Sequence, residues 1–201
     1  MGIYTDDNGR EFSGAGVMII EDYYAKDGTI MPSIVLVRNK HTGLFMDFGG
    51  IFESSDKTLD VTVRNELLEE SVNLFNVSVD HFTEKNSVDL PVTRSNKVFY
   101  KVYLIKINGI SRKYFLHNAK LIDRKYKTGM KIPVSWRETD MIAHIPIKNI
   151  EFDKLAEDKR IVVQDVDSRM IMLHGRAKKA LFYSHDQILN LTKEEPLAKR
   201  S

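Results

Sequence analysis

The chain has 201 residues, of which 42% are hydrophobic and 29% charged, and its formal net charge is +2. This length and composition predict a single globular domain over residues 1–201. Because the chain has no cysteine, disulfides, thiolate zinc sites and cysteine nucleophiles are excluded, which leaves carboxylates and histidines as side-chain metal ligands.

Its apolar runs are all shorter than the roughly 18 residues that span a bilayer. The first residues also lack the basic and apolar regions of a signal peptide. We therefore expect a cytoplasmic protein without membrane contact, and the sequence leaves its oligomeric state open.

Strand-forming runs outnumber helical segments along the chain, which indicates an α+β fold. The predicted strands, in chain order, cover residues 16–20, 33–38, 44–48, 97–107 and 140–147. The predicted helices cover residues 58–74, 150–159 and 176–191, the last being a C-terminal helix. Residues 108–133 show no clear period and carry much of the basic excess. We expect this stretch to be an irregular basic insertion on the substrate side of the domain.

The first predicted helix carries three glutamates at helical spacing. Glu66, Glu69 and Glu70 share one face, since positions i, i+3 and i+4 are neighbours on a helix. Their mutual repulsion destabilises the helix unless a cation lies between them. A hard divalent cation such as Mg²⁺ or Mn²⁺ would supply that charge. The alternative is an acidic helix face that contacts only water.

The surroundings of these glutamates resemble the Nudix box. That motif has a glycine, five residues, a glutamate and seven more residues before the run Arg-Glu-aliphatic-X-Glu-Glu-X-Gly. Here Gly49 and Gly50 stand at the start, Asp56 takes the place of the first glutamate, and residues 66–70 match the core of the motif. The flanking strands follow the order that this family uses, so that the resemblance covers roughly residues 13–150. It implies an α/β/α sandwich with a mixed central sheet.

The motif departs from the family pattern at both ends of the helix. One extra residue separates the glycine pair from the glutamates, and Asn65 replaces the family's arginine, with Arg64 one position earlier. We hypothesise that a single π-type turn at this point restores the arginine's usual partner. At the other end Val72 replaces the closing glycine, and Asn73, a residue that tolerates the left-handed conformation, follows.

The resemblance implies a divalent-metal-dependent pyrophosphohydrolase that cleaves the phosphoanhydride of a nucleoside diphosphate linked to another group. ADP-ribose, nucleotide sugars and dinucleoside polyphosphates are candidate substrates. The implied metal ligands are Glu66, Glu69 and Glu70, with the backbone carbonyl of Gly49. The proton of the attacking water would go to one of these glutamates or to Glu138, with Asp140 next and Asp165 and Asp167 as distant candidates. Candidate substrate-binding residues are Arg38, Phe45, Gly50, Lys131 and Trp136.

Charge is distributed unevenly along the chain. Residues 53–90 are strongly acidic and residues 106–131 strongly basic, which suits a metal site beside an anion site. Capped RNA or diphosphoinositol polyphosphate would use the basic segment most fully, so RNA is a possible partner. Two other function classes stay open: a catalytically inactive Nudix domain that senses a nucleotide or binds a partner, and a structural protein whose acidic helix only resembles the box.

Overall fold

Strands form most of the framework of the protein, as the α+β prediction requires. The computed structural model describes residues 2–92, 97–156 and 160–195. Its strands are β1 (Tyr4–Thr5), β2 (Glu11–Tyr24), β3 (Ile30–Asn39), β4 (Phe45–Met46), β5 (Phe48–Ile51), β6 (Ser87–Pro91), β7 (Val98–Lys106), β8 (Thr139–Pro146), β9 (Val162–Gln164) and β10 (Met170–Met172). Its α-helices are α1 (Leu59–Glu70), α2 (Arg112–Lys127), α3 (Gly175–Tyr183) and α4 (His185–Leu191). None of the helices in these ranges is long and apolar enough to cross a membrane.

The long strand β2 lies at the centre of an eight-stranded sheet. On one edge it pairs in parallel with β7, and on the other it pairs in antiparallel fashion with β5 along its first half and with β3 along its second half. Strand β8 continues the sheet beyond β3, and β6 continues it beyond β7. The sheet is therefore mixed, as predicted.

Both faces of the sheet are covered by helices. Val17 and Ile19 of β2 belong to the hydrophobic core that includes apolar residues of α1 and α2. Met18 and Ile20 point the other way, into the core shared with α3 and α4. Because successive strand residues alternate between faces, a run that is apolar at every position predicts a strand buried on both sides. The three layers confirm the predicted α/β/α arrangement.

The predicted strands are all present, with one division. The predicted strand over residues 44–48 is two short strands, β4 and β5, separated by Asp47. Strand β6 and the hairpin of β9 and β10 were not predicted, because they are short and lack strong alternation.

Two of the predicted helices differ from the structure. Only a short 3-10 helix, Phe152–Ala156, lies within the predicted helix 150–159, and residues 157–159 lie outside the described ranges. The predicted C-terminal helix 176–191 is two helices, α3 and α4, with a break at Ser184. The Ser184 hydroxyl donates to the Ala180 carbonyl at 2.5 Å, a local bond that competes with continuation of the helix.

The expectation that residues 108–133 are irregular is wrong. Helix α2 occupies most of this stretch, with Phe115 and Ala119 buried one turn apart and Ile122 partly buried beside them. Ser111 caps the helix by accepting a hydrogen bond from the Tyr114 amide at 3.4 Å. The buried positions recur at helical spacing, with charged residues on the opposite side, so the helical period is present in the sequence.

Candidate active site

The glycine pair brings strand β5 unusually close to both β2 and α1. Gly49 lies opposite Gly16 of β2, and a Cβ at Gly49 would overlap the Gly16 Cα and the Tyr100 hydroxyl. A Cβ at Gly50 would instead overlap the carboxylate of Glu66. Glycine is therefore required at both positions, but for different reasons: backbone packing at Gly49 and room for a carboxylate at Gly50.

The carboxylate of Glu70 is buried against the backbone of β5. The side chain is 4% exposed, and its Oε2 accepts a hydrogen bond of 2.6 Å from the Gly49 amide. The Glu70 carbonyl accepts a hydrogen bond of 2.7 Å from the Thr139 hydroxyl, which attaches the end of α1 to the start of β8. Burial, and next the charge of Glu66, raise the pKa of Glu70 well above its usual value.

The carboxylate of Glu66 lies over Gly50 with other acidic groups around it. Burial raises its pKa to about 7, with further contributions from the charges of Glu69 and Glu138. Glu138 is thus close enough to Glu66 for its charge to act on that carboxylate, and its role as a base stays a prediction. Glu138 directly follows a 3-10 turn, Ser135–Arg137, that packs against α1.

Arg176 of α3 is a site residue that the sequence analysis missed. Its Nε donates to the Asp47 carboxylate at 2.8 Å, and a second guanidinium nitrogen donates to the Gly49 carbonyl at 3.1 Å. The guanidinium also lies 4.3 Å from the centre of the Tyr100 ring, whose hydroxyl donates to Asp47 at 3.2 Å. Burial alone would lower the pKa of Arg176, but Asp47 and the other anionic groups raise it overall. Arg176 therefore brings a fixed positive charge to the acidic site.

The sequence indicates that a cation is needed beside Asp47, but it does not identify that cation. Asp47 interrupts an apolar strand segment, and a carboxylate that is 0% exposed needs a cationic partner. The sequence does not say which of the 30 lysines and arginines supplies it.

Several predicted site residues are engaged elsewhere. Arg38 forms a two-bond ion pair with Asp140, at 2.8 Å for each bond, so their roles in substrate binding and proton transfer stay predictions. Phe45 is buried in the core on the α3 side of the sheet, which corrects its assignment as a substrate-binding residue. Asp165 and Asp167 both pair with Arg112 at the start of α2, which corrects their assignment as candidate bases.

Two predicted substrate-binding residues lie in the connection between α2 and β8. Trp136 is half-buried in the 3-10 turn before Glu138, and Lys131 is exposed just after α2. Substrate contact by Trp136 and Lys131 therefore stays a prediction.

The start of α1 accommodates the extra residue without any π-type turn. Residues 59–70 are regular α-helix, so the hypothesis of a π turn at Arg64 is wrong. Asp56 instead accepts hydrogen bonds of 2.9 Å from Asn65 and from the Thr62 hydroxyl. Lys57, with φ of 67°, makes the left-handed turn between this aspartate and the helix. Asp56 and the neutral Asn65 thus form a matched hydrogen bond at the start of the helix.

The end of α1 is closed by a Schellman motif without glycine. The amides of Val72 and Asn73 bond back to the carbonyls of Glu69 and Leu68 at 3.0 and 2.8 Å. Val72 has φ of 52° and Asn73 has φ of 65°, so both residues are left-handed. A β-branched residue in this conformation is strained. Its burial in the core offsets that strain.

A cavity of about 370 Å³ opens beside the glycine pair, on the side of α3. Its walls include Ile51, Leu90, Val92, Tyr100, Arg176 and Lys179. Mostly apolar walls with two cations fit a ligand that has a flat apolar part and an anionic part. The volume is within the range of small-molecule sites.

The donor chemistry of the site suits a hard divalent cation. Glu66, Glu69 and Glu70 offer only oxygen atoms, and the pKa of Glu66 is raised first by burial and then by the negative charges of Glu69 and Glu138. Within the ranges that the structure describes, however, no three acidic or histidine side chains are already arranged around one point as a metal site. The Gly49 carbonyl, expected to be a metal ligand, accepts a hydrogen bond from Arg176 instead.

Comparison with known proteins gives structural likenesses only. No family model and no curated protein matches the chain. The NUDIX domain of Shewanella oneidensis NrtR complexed with ADP ribose is similar at 11% identity, with a TM-score of 0.43 over 90% of this chain and 85% of that chain. A Nudix hydrolase from M. Smegmatis, RenU, is similar at 13% identity, with a TM-score of 0.46 over 99% of both chains. The C-terminal domain of mouse MUTYH, in complex with human PCNA, is similar at 13% identity, with a TM-score of 0.43 over 94% of this chain and 93% of that chain.

The two glycines should respond differently to alanine. The methyl group added by Gly49→Ala would push β5 away from the backbone of β2. We therefore expect the free energy of unfolding, measured in urea, to fall by about 3 kcal/mol. Gly50→Ala displaces only the end of the Glu66 side chain, so we expect a loss of about 1 kcal/mol or less. Equal destabilisation of the two variants would contradict this assignment.

The pH dependence of stability should report the Glu66 carboxylate. Its pKa rises from 4.5 to about 7 in the folded protein, so the folded state holds more protons than the unfolded state between these values. The free energy of unfolding of the metal-free protein should therefore decrease as the pH rises through this window. Glu66→Gln should flatten the decrease and stabilise the protein at pH 8 by about 1 to 2 kcal/mol. Thermal melts in chelator across the pH range test this, and an unchanged slope would contradict it.

Removal of Arg176 should destabilise the fold through Asp47. Arg176→Met leaves a buried carboxylate without its cation, which we expect to lower the free energy of unfolding by about 3 to 5 kcal/mol. Adding Asp47→Asn to this variant should recover part of the loss, because no buried charge then remains unpaired. A double-mutant cycle in urea measures the coupling, and additive losses would show that the two side chains do not depend on each other.

Proposed function

We propose that the protein is a cytoplasmic, divalent-metal-dependent hydrolase that cleaves the phosphoanhydride of a nucleoside diphosphate linked to another group. The observation that carries this proposal is the placement of the Glu66 and Glu70 carboxylates against the glycine strand β5. The resemblance of residues 49–70 to the Nudix box supports it.

Glu66, Glu69 and Glu70 would hold Mg²⁺ or Mn²⁺. When bound, such a cation neutralises phosphate charge and activates water for attack. The negative charges of Glu69 and Glu138, which add to the effect of burial on the pKa of Glu66, would then be balanced by the metal.

The chain's own residues bind and orient the substrate. Arg176 and Lys179 lie in the wall of the cavity next to β5, where they can neutralise the oxygens of a diphosphate. The apolar walls at Ile51 and Val92 give a dry surface for the nucleoside. Glu138 would accept the proton of the attacking water at its carboxylate.

One observation favours a second function, nucleotide sensing without hydrolysis. Arg176 donates to the Gly49 carbonyl, so a cation already occupies part of the place expected for a metal. An arginine in that position can bind a pyrophosphate without activating water. This protein would then bind the same ligands and release them unchanged.

The two functions are separated by turnover. A panel of ADP-ribose, nucleotide sugars, dinucleoside polyphosphates and diphosphoinositol polyphosphate, each with Mg²⁺ or Mn²⁺, should yield two phosphorylated products from at least one compound, detected by anion-exchange chromatography. Binding in calorimetry without products in either metal would favour the sensor.

Charge-neutral variants of the box test the metal ligands. Glu69→Gln and Glu70→Gln should each lower turnover by at least about 100-fold, because each removes a ligand charge. The matched control is Asp60→Asn, the same loss of charge on the same helix, at a residue that borders a different cavity. Full activity in both glutamine variants, or equal losses in all three proteins, would refute the ligand assignment.

A further inference from the structure

Helix α2 presents a row of cationic side chains on its exposed side. Lys113, His117, Lys120, Arg124 and Lys127 follow one another at alternating steps of four and three residues, so they share one helical face. All five are exposed, whereas Phe115 and Ala119 on the opposite side are buried. These five residues are called the α2 face below.

The charges of the α2 face are not used inside the protein. Within the described ranges, none of the five lies at ion-pair distance from a carboxylate, and the one acidic residue of α2, Asp123, pairs with Lys40 at 3.2 Å. Like charges at these spacings repel, and the first turn of α2 has no acidic residue to favour the helix dipole. The row therefore reduces the stability of the helix and is suited to binding an anion from outside.

The spacing of the row suits an extended polyanion. Fourteen residues separate Lys113 from Lys127, which at about 1.5 Å per residue makes a row about 21 Å long. Neighbouring charges are about 5 to 6 Å apart on such a face. A single small anion would use one or two of these groups, whereas a phosphate chain can use them all.

Aromatic side chains border the row. Tyr114, which is 66% exposed, lies next to it along the helix. Tyr126 is stacked under the Arg137 guanidinium, which lies 3.5 Å from the ring centre and directly precedes Glu138. Exposed rings beside a positive groove provide stacking surfaces for unpaired bases. An acidic membrane is a poorer partner, because the apolar side of α2 is in the core and cannot insert into lipid.

We propose that the α2 face binds the phosphate backbone of a single-stranded nucleic acid, with bases stacking on Tyr114. Near the end of the row, Tyr126 contacts Arg137, and Arg137 is followed by Glu138. The 5′ end of a bound strand can therefore reach the carboxylates of α1. Only this last step, in which a nucleic acid carries the scissile phosphoanhydride, rests on the proposed function. The binding itself is independent of catalysis.

Binding is tested by fluorescence anisotropy with labelled oligouridylate and oligodeoxythymidylate of about 12 nucleotides, in chelator so that no turnover occurs. The wild type should bind with an affinity that falls as salt rises from about 50 to 200 mM, with a log-log slope near −3 for about four phosphate contacts. Lys120→Glu/Arg124→Glu should weaken binding at least about 30-fold and reduce the slope by about 1.4. A preference between the two probes tells whether the strand is RNA or DNA.

The matched control is Lys26→Glu/Lys85→Glu, which makes the same charge change at exposed positions on other elements. It should keep most of the affinity, and thermal melts should show both double variants folded, since all four positions are exposed. Lys120→Gln/Arg124→Gln should lose less affinity than the glutamate pair.

Equal loss of oligonucleotide affinity in the two double glutamate variants would overturn the proposal. Binding to vesicles of phosphatidylserine and phosphatidylcholine, without binding to either oligonucleotide, would also overturn it. Absence of oligonucleotide binding at about 50 mM salt would overturn it as well. Oligonucleotide binding by a protein that hydrolyses neither the compounds of the substrate panel nor a capped oligonucleotide would support the α2 face while refuting the hydrolase. Hydrolysis of small substrates by a protein that binds no oligonucleotide would support the hydrolase and refute the nucleic-acid role of the α2 face.

Discussion

The guanidinium of Arg176 is fixed between the buried carboxylate of Asp47 and the carbonyl of Gly49, and much of the site depends on that position. It joins α3 to the glycine strand and gives the Tyr100 ring a cation to pack against. Its charge also lowers the pKa values of Glu66 and Glu70, opposing the effect of burial. Arg176 acts both on the acidic face of α1 and on the carboxylate of Asp47. Without it, these acidic groups would lose the positive charge that they share.

The two ends of α1 depart from the motif that residues 49–70 resemble, yet the helix between them is regular. At the start, a hydrogen bond between Asn65 and Asp56 ties the helix to the turn before it. At the end, Val72 adopts a conformation suited to glycine, while its side chain gains burial in the core. Both changes leave the spacing of the three glutamates unaltered, and that spacing is what the chemistry requires.

The sequence could predict the features that repeat locally. Alternating and continuous apolar runs identified the strands, and the spacing of Glu66, Glu69 and Glu70 identified the acidic face, because both signals lie within a few neighbouring residues. Helix α2 carries a local signal too, with charged residues opposite its buried side, and the prediction of an irregular stretch there was wrong. Arg176 could not be found this way, since its partner Asp47 lies 129 residues away and only the folded chain brings them together. The same applies to the pairing of Arg38 with Asp140, two residues that appeared free in the sequence.

The distance along the chain between Asp47 and Arg176 has a consequence for how the protein is made. Chains emerge from the ribosome starting at their N-terminus, so the glutamates of α1 and the glycine strand are synthesised long before α3. During that interval the carboxylates have no guanidinium beside them, and repulsion keeps them apart and hydrated. Strand β2 also cannot pair with its parallel partner β7 until β7 has been synthesised, more than 70 residues later. The candidate site is therefore completed only after α3 has been synthesised and its arginine pairs with Asp47.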